Sequence, residues 1–293
     1  MRQGIETLVV VGVGLIGGSF ALALKRAGLV GRVIGVDRSA DNLRRALELG
    51  VVDEISDDVC AAAARADVLL LATPVGQMAA ILAAVAGHLR PGTLVTDVGS
   101  TKGNVAAIMR QGLPDHLACC LPAHPIAGSE LSGASAAQYG LYENRDVVLT
   151  PLAETDPATL ERLSSLWQAC GARVAVLDAE EHDRIFAAVS HLPHLLAFSY
   201  VNLVAGQDNA ARCLDFAATG FRDFTRIAGS SPEMWRDVAL ANRQALLAEL
   251  LGFRGELDQL IALLASEDGP GLAERFSAAR QVRTDWHQKF LRK

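Results

Sequence analysis

The run Leu8-Val9-Val10-Val11, followed at once by Gly12-Val13-Gly14-Leu15-Ile16-Gly17, constrains this chain more than any other stretch. Four branched aliphatic residues in a row suit a strand buried on both faces of a parallel sheet. A strand that runs into G-x-G-x-x-G, and from there into the helix-forming residues Ser19 to Arg26, reads as the start of a βαβ unit. In that setting Gly12 permits the tight turn, Gly14 lets the backbone approach a pyrophosphate, and Gly17 allows helix and sheet to close together. The head of the helix, at Leu15 and Ile16, then offers free N–H groups and positive dipole to the phosphates.

Among 26 glycines such a motif can arise by chance, so its surroundings carry the weight. A second strand, Arg32 to Val36, ends in Asp37, about twenty residues after the last glycine. An acid there accepts hydrogen bonds from the adenosine ribose and repels the extra phosphate of NADP, which makes NAD the expected cofactor. Arg38 leaves NADP open, because an arginine beside the acid can stack on adenine or reach a 2′-phosphate. As a bare strand end, Asp37 would be only a turn residue.

Helix and strand keep alternating through Ala40 to Leu49, Val51 to Ile55, Val59 to Arg65 and Val68 to Leu71. Loops at the carboxyl ends of such strands line the ligand crevice. Thr73 and Pro74, after the fourth strand, are therefore expected beside the nicotinamide ribose, although Pro74 equally suits the start of helix Gln77 to His88. Strand Leu94 to Asp97 leads to a loop in the same position. There Ser100 offers a hydroxyl and Lys102 a cation to an anionic substrate, while Ser100 could instead cap helix Asn104 to Arg110.

The loop Ala123 to Glu130 holds His124 between proline and glycine. A neutral imidazole can accept a hydroxyl proton as an alcohol becomes a carbonyl and gives up hydride. Val147 to Thr150 and Arg173 to Leu177, separated by helix Pro157 to Cys170, are the last strand-like runs. Beyond them the pattern is helical throughout, and Asp178, with Glu181 three residues on, suits a helix start. The expected architecture is α/β: a Rossmann-type doubly wound sheet over residues 1–178, then an all-α domain over residues 179–293.

That first long helix carries Ser190-His191-Leu192-Pro193-His194, with Pro193 expected to kink it. No HExxH and no cluster of acidic or thiol ligands accompanies the histidines, so no metal is expected. Ser231-Pro232-Glu233 opens what reads as one long helix to Leu264, with more apolar surface than one neighbour covers, which suggests a homodimer through the C-terminal helices.

Composition narrows the function classes. A net charge of -6 with no basic run argues against nucleic acid. The uncharged run Thr7 to Leu24 is interrupted by glycines, which argues against a membrane segment. Five cysteines without a CxxC pair read as reduced core thiols of a cytoplasmic protein, with Cys119 a remote candidate nucleophile.

Taken together, Gly12 to Gly18, Val98 to Lys102, His124 to Glu130, Ser190 to His194 and Phe221 to Ile227 resemble the prephenate/arogenate dehydrogenase family of tyrosine biosynthesis, over about the first 240 residues. The resemblance implies oxidative decarboxylation of a small cyclohexadienyl acid with NAD and makes His124 the catalytic base. It implies that His194 lines the substrate pocket, that Arg226 clamps a substrate carboxylate, and that Glu130 meets a cation or gates the pocket. Arg222 reads as paired with Asp223. Trp235 reads as interface core, with a place near the active site left open by the resemblance. A β-hydroxyacid dehydrogenase or imine reductase on a similar plan, and an NAD-sensing module without chemistry, are the alternatives.

Overall fold

The computed structural model describes residues 4–129 and 131–291. Six parallel strands form the main sheet: β1 (Ile5–Val11), β2 (Val30–Val36), β3 (Glu54–Ser56), β4 (Val68–Leu71), β5 (Leu94–Asp97) and β6 (Cys120–Leu121), in the order β3-β2-β1-β4-β5-β6. The order reverses at β1, and the crevice between β1 and β4 at their carboxyl ends is where such sheets bind dinucleotides. The connecting helices are α1 (Leu15–Arg26), α2 (Ala40–Glu48), α3 (Val59–Ala63), α4 (Val75–Val85) and α5 (Gly103–Gly112).

Both faces of the sheet are covered, as the aliphatic strands require. Leu8, Val10, Val68 and Leu70 point to one side, where Phe20 and Leu24 of α1 pack. Val9, Val11, Leu69 and Leu71 point to the other, against Met78, Leu82 and Met109 of α4 and α5. Burying each such side chain contributes about 1.5–3 kcal/mol, so this double packing is the main source of the domain's stability.

A second, three-stranded sheet adds β7 (Ala123–Pro125), β8 (Asp146–Leu149) and β9 (Arg173–Val176), with β7 antiparallel and β9 parallel to β8. Helix α6 (Pro157–Ala169) brings Trp167 against Phe20, ring centroids 4.3 Å apart. The structure therefore corrects the expected loop around His124: this residue lies in a strand, paired with Val148. Ile126 N–H to the Asp146 carbonyl and Thr150 N–H to the Pro122 carbonyl extend the pairing, which holds the histidine far more firmly than a loop would.

From Ala179 onward the described residues form helices alone. They are α7 (Ala179–Phe186), a π-turn (Ala187–His191), α8 (Leu192–Ala205), α9 (Ala210–Asp215), α10 (Thr219–Thr225), a 3₁₀ turn (Arg226–Gly229), α11 (Pro232–Ala241), α12 (Arg243–Ala265) and α13 (Gly269–Leu291). Just before Pro193 the helix widens into the π-turn, in which the Leu192 amide reaches back five residues to the Ala187 carbonyl. By length and composition the run Ala179–Ala205 could cross a membrane. It carries four charged side chains within its first turns, Glu180, Glu181, Asp183 and Arg184, and the buried polar groups His182, Asp183 and His191, and such a single run is weak evidence of a membrane span.

The single helix expected from Ser231 to Leu264 is in fact two, broken at Asn242. Asn242 is buried, and its Nδ2 donates to the Asp183 carbonyl at 2.7 Å and lies 3.1 Å from His191 Nδ1. The side chain's tertiary bonds thus win over helix continuity. The chain divides into two compact units between Arg243 and Gln244. In the second, α12 and α13 are linked by Arg275, which bonds Gln259 at 2.6 Å and pairs with Glu256.

Candidate active site

At the nucleotide end the glycines have the geometry their spacing predicts. Gly12 has φ +95°, and a Cβ there would sit 2.5 Å from the Ala72 carbonyl oxygen. A Cβ on Gly17 would sit 2.7 Å from the Ala72 methyl, so helix and strand touch only because both residues lack side chains. Gly14 differs, since a Cβ there would meet nothing within 4 Å. It is the N-cap of α1, and no side chain caps that helix, leaving the amides at Leu15 and Ile16 facing an open cradle.

Asp37 stands at the end of β2 and accepts from Val13 N–H at 3.1 Å, Ser39 N–H at 3.0 Å and Asn42 Nδ2 at 3.0 Å. A carboxylate offers about four acceptor sites, so capacity remains for a ribose hydroxyl. Arg38 is exposed and lies 3.9 Å from Glu233. Thr73 Oγ1 is buried without a hydrogen-bond partner, and Pro74 is the N-cap of α4. An open glycine cradle, an uncapped helix start and an orphaned buried hydroxyl all fit a dinucleotide.

Lys102 requires a correction. It was expected to face an anionic substrate, yet it is fully buried, its Nζ paired with Asp97 Oδ2 at 2.5 Å and bonded to the Ala123 carbonyl at 2.7 Å. Burial pushes the Lys102 ammonium down and the Asp97 carboxyl up from their ordinary values, while each partner opposes the other's shift. Asp97 also accepts from the amides of Gly99 and Ala123. The pair therefore ties β5 to β7 immediately before His124. Ser100 does not cap α5; that place is taken by Asp183, whose carboxylate accepts from the Lys102 and Gly103 amides, each at 2.8 Å.

His124, partly buried in the middle of β7, directs Nδ1 at His182 Nε2, 2.8 Å away. Among the described residues nothing hydrogen-bonds its Nε2. His182 Nδ1 in turn lies 2.8 Å from Asp183 Oδ1. Burial, and then the proximity of His182, Lys102 and His191, hold the His124 imidazolium well below its ordinary pKa, so the ring is neutral at neutral pH. Burial would raise the Asp183 carboxyl, but hydrogen bonds from His182 and the two amides outweigh it and keep the group ionised.

His194, on α8, bonds the Ser190 carbonyl through Nδ1 at 2.8 Å and stacks on Trp235 with ring centroids 3.6 Å apart. Trp235 is 7% exposed, so it backs His194 within this chain, where the sequence pointed to interface core. Arg226 begins the 3₁₀ turn, is exposed, and has no carboxylate partner among the described residues. Burial and then the Arg226 charge lower the His194 pKa, which places the cation near that ring. Arg222 bonds Asp223 at 3.0 Å. Glu130 lies outside the described residues.

Sequence reasoning missed His182, Asp183 and Asn242. The signal available was an adjacent histidine and aspartate interrupting the apolar side of a helix that ends in Ile185-Phe186. No group of three or more His, Cys, Asp or Glu side chains among the described residues could hold a metal.

A sheet of this order with this glycine turn, opening beside a neutral histidine, places the protein among the NAD-dependent dehydrogenases. The chain belongs to the prephenate dehydrogenase family: residues 20–176 match the model for "Prephenate dehydrogenase, nucleotide-binding domain", and residues 178–278 match "Prephenate dehydrogenase, dimerization domain". It is 35% identical to the cyclohexadienyl dehydrogenase of Zymomonas mobilis over 94% of both chains. It is 38% identical to the prephenate dehydrogenase of Bacillus subtilis over 97% of this chain and 76% of that one. Among solved structures, prephenate dehydrogenase from A. aeolicus in complex with hydroxyphenyl propionate and NAD+ superposes with a TM-score of 0.92 at 32% identity, covering 97% of this chain and 99% of that one.

Proposed function

We propose that this protein catalyses the NAD-dependent oxidative decarboxylation of prephenate, arogenate or both, giving 4-hydroxyphenylpyruvate or tyrosine in tyrosine biosynthesis. The observation that carries the reading is His124: a neutral ring whose Nδ1 is held by His182 has Nε2 left to accept the substrate hydroxyl proton. NAD, when bound, supplies the hydride acceptor. Gly12, Gly14, Leu15, Ile16, Gly17, Thr73 and Pro74 form the cradle that holds it, with Asp37 at the ribose and Arg38 beside it.

His124 takes the hydroxyl proton, Arg226 binds a carboxylate of the substrate, and His194, fixed by Trp235 and the Ser190 carbonyl, lines the pocket. Ser100, at the carboxyl end of β5, is the hydroxyl assigned to the reacting end. By family resemblance Glu130 meets a cation or gates the pocket. Loss of the ring carboxylate as carbon dioxide yields a phenol, and aromatisation supplies the driving force. The protein's part is orientation and a well-placed base.

Residues 1–178 are assigned to the nucleotide-binding domain and residues 179–293 to a helical substrate and dimerisation domain. A homodimer through the C-terminal helices is supported by the matched dimerization domain and by exposed Leu251, Ile261, Leu264, Phe276 and Val282 on α12 and α13. Five free cysteines suit a cytoplasmic enzyme. A β-hydroxyacid dehydrogenase, an imine reductase and an NAD-sensing module are not favoured by the family match.

The test is a set of initial rates with prephenate and arogenate, each with NAD and NADP. Turnover with at least one of the two acids and NAD is expected, and none with either would refute the reading. His124→Asn should lower kcat at least a hundredfold, about what a general base contributes, with NAD binding unchanged. Arg226→Ala should chiefly raise KM for the acid, and an unchanged KM would remove Arg226 from the clamp role.

A further inference from the structure

We propose that His182 and Asp183 form a positioning dyad that fixes the tautomer of His124, so that Nε2 always presents a lone pair to the substrate. This rests on the reading of His124 as the base and adds to it two residues that do not touch the substrate.

A chain of hydrogen bonds, each forced by the one before it, runs from Asp183 to His124. The Asp183 carboxylate is held by the Lys102 and Gly103 amides, and the Asp183 carbonyl by Asn242. As an ionised carboxylate it can only accept. The 2.8 Å contact from His182 Nδ1 therefore requires the proton on that nitrogen. A neutral His182 with Nδ1 protonated has a lone pair on Nε2. That lone pair faces His124 Nδ1 at 2.8 Å, so the proton between them belongs to His124, and His124 Nε2 is bare.

Without the dyad, neutral His124 would divide between its two tautomers, and only one is a base in the required direction. His182 is completely buried, and Phe186 packs on both rings, with centroids 4.8 Å from His124 and 4.4 Å from His182. The rings are thus fixed as well as bonded. When His124 accepts the substrate proton at Nε2, it keeps the proton on Nδ1. The positive charge then lies at the end of a bonded line that finishes on the Asp183 carboxylate, and no second proton transfer is needed.

The charged and titratable groups around His124 come from three directions. His182 faces it from α7, Lys102 from the head of α5, and His191 from the π-turn, each disfavouring the imidazolium. Lys102 is already committed to Asp97. Of these groups only His182 also offers an acceptor to Nδ1.

The test reads the tautomer directly. Nitrogen NMR of protein labelled with ¹⁵N-histidine, with His124 assigned by its loss in His124→Asn, should show Nδ1 protonated and Nε2 bare at neutral pH. In His182→Leu the His124 signals should become a tautomer mixture. The same variant should lower kcat on the order of tenfold, less than loss of the base itself, with KM little changed. His182→Gln, whose amide oxygen can accept from Nδ1, should recover much of the rate.

A wild-type His124 carrying its proton on Nε2 overturns the proposal. So does a folded His182→Leu enzyme with wild-type kcat and an unmixed His124 tautomer. Should that variant fail to fold, the wild-type tautomer measurement decides alone. An inactive His124→Asn beside an unaffected His182→Leu would sink only the dyad, whereas an active His124→Asn would sink the base assignment itself.

Discussion

At the scale of single residues, the site is governed by burial of groups that carry charge elsewhere. His191 is the clearest case: burial, with added repulsion from His182 and His194, pushes its pKa down to about 4, against the opposing pull of Asp183 and the Ser100 backbone. A histidine depressed in the folded state binds fewer protons there than in the unfolded chain. Its contribution to stability is therefore complete above the unfolded pKa near 6.5 and is lost as pH falls from there towards about 4. Between pH 7 and pH 5 this one ring should remove about 2 kcal/mol. Urea unfolding of the wild type and of His191→Gln at both pH values checks it; equal losses in the two proteins would refute it. Lys102 shows the same principle from the other side. Its type and position in a crevice loop suggested a substrate cation, and nothing local reveals that Asp97, five residues earlier, turns it inward.

At the scale of elements, what could be read from the sequence was whatever the strand and helix periods and the glycine spacing dictate. The strand-turn-helix at Gly12 to Gly17, the acid at Asp37 and the run of parallel strands to β5 follow from local pattern alone. In the second sheet β8 and β9 follow likewise, but β7 does not, because it is three residues long and gains its pairing from β8, more than twenty residues further on. The break at Asn242 is equally hidden, since it depends on a carbonyl and a ring about fifty to sixty residues away. His124 is marked by its Gly/Pro-bounded segment and strengthened by family resemblance, Arg226 and His194 take their roles from the resemblance, and His182 and Asp183 need the packed helix to be seen. The glycine turn also yields a clean separation of roles. Gly14→Ala should leave the thermal midpoint almost unchanged, because its Cβ meets open space, and should weaken NAD binding tenfold or more. Gly12→Ala should destabilise the fold, because of its positive φ and the Ala72 carbonyl. Calorimetric NAD titration and thermal melts separate the two, and unaltered NAD affinity in Gly14→Ala would contradict the cradle.

At the scale of the whole molecule, α12 and α13 leave large apolar side chains in water, including Leu251 at 56%, Ile261 at 62% and Phe276 at 60% exposure. Large exposed apolar side chains grouped on two helices are candidates for a contact with another chain. On the proposal of a homodimer through these helices, the wild type should have the mass of two chains in sedimentation or light scattering, and replacing Ile261 and Phe276 with glutamate should halve it; a monomeric wild type or an unchanged variant mass would refute that interface. The π-turn at Ala187–His191 has a different reach. In a regular helix each residue turns the next by about 100°, so residues nine apart, such as His182 and His191, would point to opposite sides. The wider turn brings His191 back within electrostatic reach of His182, and His194 follows from the same phase. Because that turn absorbs one extra residue, the helix beyond it keeps nearly the phase of a regular helix one residue shorter. Deleting Val189, which is exposed, should therefore straighten the turn while leaving His194 on close to its present side relative to His182.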